Sequence, residues 1–155
     1  VISSLKTYQI DTDRDEYQYL YERCKRMTGI VYINSMSQTK LAKELKNALI
    51  LTYPNTFEET SCISVMEALA SGCAVVSSEL AALPETTEGF ASLIKGNPNS
   101  NSYKENFIDS VVSLYNNLKT VNNKKEKSLR AQINYYRNNY NWELRSKELI
   151  SLLKI

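Results

Sequence analysis

Two glutamates, Glu59 and Glu67, stand with seven residues between them in the run Glu59-Thr60-Ser61-Cys62-Ile63-Ser64-Val65-Met66-Glu67. The first lies in a polar loop. The second lies inside an amphipathic helical pattern of about three turns that Gly72 ends. The unsatisfied backbone N–H groups of a helix N-terminus attract phosphate, and carboxylates beside them accept hydrogen bonds from sugar hydroxyls. The pairing points to a nucleotide-sugar site. A local reading stands next to it: Ser64 and Glu67 have the spacing of a capping box, and Glu59 suits the positive end of a helix dipole.

Other chemistries drop out on composition. The chain of 155 residues contains no histidine, which removes His-based triads, His-ligated zinc and a His general base. Neither G-x-G-x-x-G nor G-x-x-x-x-G-K-[ST] occurs, so the dinucleotide fingerprint and the P-loop are missing. Cys24, Cys62 and Cys73 are odd in number and lack metal-ligand spacing, which reads as a reduced, cytoplasmic setting. A net charge of +2 gives no argument for nucleic acid or membrane. Asp11-Thr12-Asp13 resembles an oxygen-ligand pair for a divalent ion, but it directly precedes a helical pattern and reads better as an acidic helix start.

The elements that must position the glutamates follow from periodicity. Val1 to Leu5 reads as a β-prone run that begins as though an earlier portion preceded it. Tyr17, Leu20, Tyr21, Cys24 and Met27 recur at helical spacing, Gly29 closes that helix, and Ile30 to Ile33 reads as a strand. Ser37 or Thr39 caps a helix carrying Leu41, Leu45 and Ala48, and Leu49 to Tyr53 is a strand stopped by Pro54. After the Glu67 helix, Cys73 to Val76 is a buried strand, Glu79 to Gly89 a loop, and Ala91 to Ile94 a last short strand. Beyond a surface linker from Asn97 to Ser102, helices are expected over Tyr103 to Leu118, Lys124 to Asn138 and Trp142 to Leu153. Strands alternating with helices imply a mostly parallel, doubly wound Rossmann-like α/β sheet, here an α/β core at 1–96 and a helical tail at 97–155. Ligands of such sheets sit at the carboxyl ends of the strands, and the Glu59 loop falls on that edge.

The run from Tyr53 to Ala68, with Ala70-Ser71-Gly72-Cys73-Ala74-Val75-Val76 and Ala82-Leu83-Pro84-Glu85-Thr86 behind it, resembles the C-terminal half of retaining GT-B glycosyltransferases of the group 1 family. The likeness extends to Tyr140-Asn141-Trp142. It implies one half of a GT-B fold that binds a UDP-, GDP- or ADP-sugar without metal or cofactor. It implies that Glu59 is the catalytic candidate and meets the donor sugar. Thr60, Ser61, Cys62 and Ile63 would lie by the diphosphate and sugar, Glu67 would hold the ribose, and Ile33 and Asn34 would be weaker candidates for the base. Cys62 departs from the family by standing where many members have Gly. The acceptor-binding N-terminal domain and a first βα unit with diphosphate-neutralising Arg and Lys are expected upstream, leaving Lys6 as a poor substitute. Alone, such a chain would bind donor and not transfer the sugar; in full it would pass a hexose with retention to a glycan or lipid-linked acceptor. The acceptor side would come from that N-terminal domain or a partner subunit, with no nucleic-acid partner and any membrane contact made by those other parts. The competing expectation is a non-catalytic α/β interaction module or pseudoenzyme subunit acting through its helical tail.

Overall fold

A computed structural model describes residues 1–2, 16–120 and 123–153. The chain divides into two units, Val1–Leu41 and Ala42–Ile155.

In the first unit, α1 (Gln18–Arg26) turns Tyr21 inward, where its ring stacks on Tyr32 at 5.1 Å between centroids. Gly29 takes φ +82 after the helix, a conformation that glycine adopts without a Cβ penalty. Of the expected strand Ile30 to Ile33, Ile33 pairs, among the described residues, in a parallel bridge with Ile2. Val31 is exposed, and its carbonyl accepts from the Val1 N-terminus at 2.7 Å. The Asp11–Asp13 pair, Lys6 and the rest of the run from Ser3 to Asp15 lie outside the described residues.

Helix α2 (Gln38–Asn47) begins immediately after Ser37, whose carbonyl accepts from Leu41 N at 2.9 Å; Thr39 lies inside the helix. The second unit then runs β1 (Ile50–Tyr53), α3 (Ile63–Ser71), β2 (Ala74–Ser78), α4 (Leu83–Thr87), β3 (Ser92–Ile94), α5 (Asn101–Lys119), α6 (Asn123–Asn139) and α7 (Trp142–Leu153). Its strands form one parallel sheet in the order β1-β2-β3, with Leu51 opposite Val75 and Val76 opposite Ser92.

Successive side chains of a strand point to opposite faces, and β2 uses both. Val75 packs with Val65, Ala68 and Leu69 of α3, Leu83 of α4 and Tyr136 of α6. Val76 packs on the other face with Tyr103 and Phe107 of α5. Apolar contact on both faces is why β2 reads as a continuous apolar run and why helices cover the sheet on both sides. The chain is therefore an α/β protein with a small parallel sheet, Rossmann-like and in keeping with one half of a GT-B fold.

Four local findings refine the sequence reading. Gly72 does end α3, in the left-handed region at φ +90, and its N–H and that of Cys73 return to the Leu69 and Ala68 carbonyls. Cys73 precedes the strand and directs its thiol to the carbonyls of Leu45 (3.1 Å) and Ala48 (3.3 Å). The expected loop from Glu79 to Gly89 contains the short helix α4, with Pro84 in its first turn, where a missing N–H costs no hydrogen bond. Helix α5 starts two residues earlier than expected, because the Ser100 hydroxyl accepts from Tyr103 N at 3.2 Å and caps it.

Candidate functional site

The site is built on the loop between β1 and α3. Its entry is fixed by the last residue of the strand. Tyr53 O accepts from the Ser77 hydroxyl of β2 at 2.9 Å and from Asn55 N at 2.8 Å. Asn55 folds the next turn: its carboxamide accepts from Phe57 N at 2.9 Å and donates to Phe57 O at 2.6 Å. The Ser78 hydroxyl donates to Asn55 O, which leaves its oxygen to accept from the Tyr103 hydroxyl at 2.7 Å. Asn55 is only 7% exposed, so its polar groups need these partners.

Glu59 is held at both ends. Its N–H donates to Phe57 O (3.0 Å), and its carbonyl accepts from Ala82 N (3.1 Å), joining the loop after β1 to the loop after β2. Its carboxylate accepts from the Tyr53 hydroxyl at 2.7 Å, the short range of a charge-assisted bond. Burial first, and then the bond to the Glu59 carboxylate, push the Tyr53 hydroxyl well above its ordinary value of 10.0, so it stays a proton donor.

Cys62 is the N-cap of α3, in extended backbone, and its side chain makes no capping bond. Burial pushes its thiol above the ordinary value of 9.0, and the charge of Glu59 pushes the same way; the Val65 and Ser64 N–H groups and the Tyr53 hydroxyl oppose the rise. This is a buried thiol beside the site, kept in its protonated form by its surroundings. Placing the cap at Cys62 also removes the capping-box reading: Val65, not Glu67, occupies the third helical position. Glu67 sits half-buried one turn beyond the exposed Ile63 and on the same face. Side chains on a helix tilt toward its N-terminus, so that face leans over the first turn.

Thr60 and Ser61 are exposed in the loop. Among the described residues, the amides of Ser61, Cys62 and Ile63 meet no acceptor. The loop therefore presents a carboxylate, a row of donor N–H groups at the positive end of a helix of nine residues, and a second carboxylate on the helix face. Ile33 and Asn34 belong to the first unit, whereas all the other candidates belong to the second. Among the described residues no group of three His, Cys, Asp or Glu side chains could hold a metal ion. Nor is any helix among them long and apolar enough to cross a membrane.

Tyr53, Asn55 and Ser78 were not legible as site residues. Tyr53 reads as the end of an apolar strand; the one signal is an aromatic with a polar tip placed directly before Pro54.

A parallel α/β sheet with a polar, donor-rich helix start at the carboxyl edge of its first strand defines a class of Rossmann-like domains that take anionic ligands there. Within that class the family model for group 1 glycosyl transferases matches residues 11–117, more than half of the chain. The chain belongs to this family, whose members bind a nucleotide-sugar donor and an acceptor in transferring a glycosyl group. No curated protein and no solved structure matches it.

Proposed function

We propose that this chain is the donor-binding, C-terminal half of a retaining GT-B glycosyltransferase of glycan biosynthesis. Glu59 accepts a hydrogen bond from a donor-sugar hydroxyl. The amides of Ser61, Cys62 and Ile63, with Thr60 beside them, take the diphosphate and the adjoining edge of the sugar. Glu67 accepts from the ribose hydroxyls, and Ile33 and Asn34 meet the base. The leaving nucleoside diphosphate is stabilised by preorganised N–H dipoles, without metal or cofactor. A hexose passes with retention to a glycan or lipid-linked acceptor held by an N-terminal domain or partner subunit, in the cytoplasm.

The observation that carries this reading is the Glu59 carboxylate fixed at 2.7 Å by the Tyr53 hydroxyl, immediately before helix-start amides that meet no acceptor among the described residues. The test is calorimetric titration of the chain with UDP, GDP and ADP and with their glucose conjugates. One base is expected to bind, and Glu67→Ala is expected to weaken it about tenfold, the usual worth of a hydrogen bond to a charged group. Absence of heat with all six compounds would reject the reading.

A second reading, an interaction module that kept the fold, is favoured by one observation. Helix α7 exposes Trp142, Leu149, Ile150, Leu152 and Leu153, and exposed apolar clusters mark interaction surfaces. It predicts a thermal unfolding midpoint indifferent to every nucleotide and nucleotide-sugar.

A further inference from the structure

We propose that Tyr53 is a positioning residue that sets the rotamer of Glu59 for the donor sugar, and so controls recognition of the sugar separately from that of the nucleotide. This deepens the donor-site reading above and rests on it.

A glutamate on a loop has three side-chain torsions to lose when it binds a hydroxyl, and ordering them costs binding free energy. Here that ordering is done before any ligand arrives. The Tyr53 ring leaves the last position of β1, and its main-chain carbonyl is tied to Ser77 of the neighbouring strand at 2.9 Å. Its hydroxyl therefore stands at a point fixed by the sheet, not by the loop. From there it donates to Glu59 Oε1 at 2.7 Å, while the Glu59 main chain is held by Ala82 N and Phe57 O. Among the described residues no other group donates to the Glu59 carboxylate, so Oε2 keeps its acceptor sites. A carboxylate can accept at about four lone-pair sites, and Tyr53 occupies one of them.

The same arrangement separates Tyr53 from the nucleotide. The Tyr53 hydroxyl bonds the Glu59 carboxylate and lies beside the Cys62 thiol, whereas the amides of Ser61, Cys62 and Ile63 are main-chain groups placed by the start of α3. Losing that hydroxyl should therefore reach the sugar through Glu59, and the Cys62 thiol it also meets is not one of the groups assigned to the nucleotide.

The test measures the affinity of the chain for a nucleoside diphosphate and for its glucose conjugate, with UDP, GDP and ADP as the three probes. The ratio of the two affinities isolates the sugar. In Tyr53→Phe, which removes one oxygen and keeps the ring, the ratio should fall roughly three- to tenfold. Affinity for the diphosphate alone should stay within about twofold, on the same arithmetic. In a Glu59→Ala background the same Tyr53→Phe change should leave the ratio unaltered, as a double-mutant cycle requires of a residue acting through its partner. The thermal midpoint of each variant is recorded beside it. Equal losses for diphosphate and conjugate would show a merely structural role and overturn the proposal, as would an unchanged ratio in Tyr53→Phe or an undiminished effect without Glu59. If the unsubstituted chain binds none of the six compounds, the donor site itself is refuted and this proposal falls with it. That outcome is separable from the others, because it appears before any variant is made.

Discussion

Gln132 of α6 donates from one nitrogen to two carbonyls, Leu69 O at 2.8 Å and Cys73 O at 3.0 Å, which flank the glycine that ends α3. The C-terminal helices thus close the end of the helix whose start forms the candidate site. Tyr136, one turn along, adds a bond from its hydroxyl to Thr86 O of α4 at 2.7 Å.

Gln132 is 4% exposed, so replacing it removes the side-chain donor from two buried carbonyls, of which Leu69 O keeps the Gly72 N–H. Gln132→Leu, close in volume, should lower the unfolding free energy by roughly 1–3 kcal/mol. Urea unfolding followed by circular dichroism measures it; a loss under about 0.5 kcal/mol would mean that other groups supply those carbonyls.

Gly72→Ala should cost about 1–2 kcal/mol from its φ of +90 alone. A Cβ there would also stand 3.1 Å from Ile133 Cδ1, so part of the penalty is steric. In an Ile133→Val background, which removes that methyl, the substitution should cost less. An identical cost in both backgrounds would leave backbone strain as the whole effect.

Ser78 links the site loop to α5 by donating to Asn55 O and accepting from Tyr103. Ser78→Ala removes the hydroxyl between two buried groups and should destabilise the chain by about 1–3 kcal/mol. Hydrogen exchange should also show faster exchange at Phe57 and Glu59, whose N–H groups lie in the turn that Asn55 shapes. Protection unchanged at both amides would separate the loop from this anchor.

Stability should fall in alkali. The folded chain holds the hydroxyls of Tyr53 and Tyr136 and the thiols of Cys62 and Cys73 above their ordinary values, in each case chiefly through burial. Groups with a raised folded pKa bind protons that the unfolded chain releases, so their contribution is complete below the unfolded pKa and is lost as pH rises. The loss begins near the ordinary thiol value of 9.0 and steepens above the ordinary tyrosine value of 10.0. Urea midpoints from pH 7 to about 10.5 measure it, and Tyr53→Phe should flatten the upper limb. A flat profile would contradict the burial of these groups.

Thiol labelling gives an independent check. Cys62 and Cys73 are buried, whereas Cys24 is half-exposed. Iodoacetamide at pH 8 should modify Cys24 in the native chain and reach the other two only in denaturant. Native labelling of Cys62 would show that the site loop opens.

What was legible before folding was what local physics specifies. The alternation of strands and helices, the end of α3 at Gly72, and the helix start between Glu59 and Glu67 follow from apolar spacing and from the one residue type that takes a positive φ freely. The α/β class follows from that alternation. The strand over Ile30 to Ile33 depends on a partner that its own residues do not specify: a strand exists only where a neighbour supplies the ladder, and among the described residues that neighbour is Val1 and Ile2. The short helix α4 was hidden because Pro84 punctuates a sequence strongly, yet fits the first turn of a helix without cost.

The sequence by itself determined the order of elements, the left-handed stop at Gly72, and a carboxylate at each end of a helix start, since each depends on residues within a turn or two of one another. Only the tertiary structure decided which groups hold them: Tyr53 on the Glu59 carboxylate, Ser78 on the Asn55 turn, Gln132 on the carbonyls around Gly72. Gln132 and Leu69 are 63 positions apart, and no local periodicity relates them. A buried polar group must be satisfied by whatever donor packing brings near, and packing is settled by the whole chain at once.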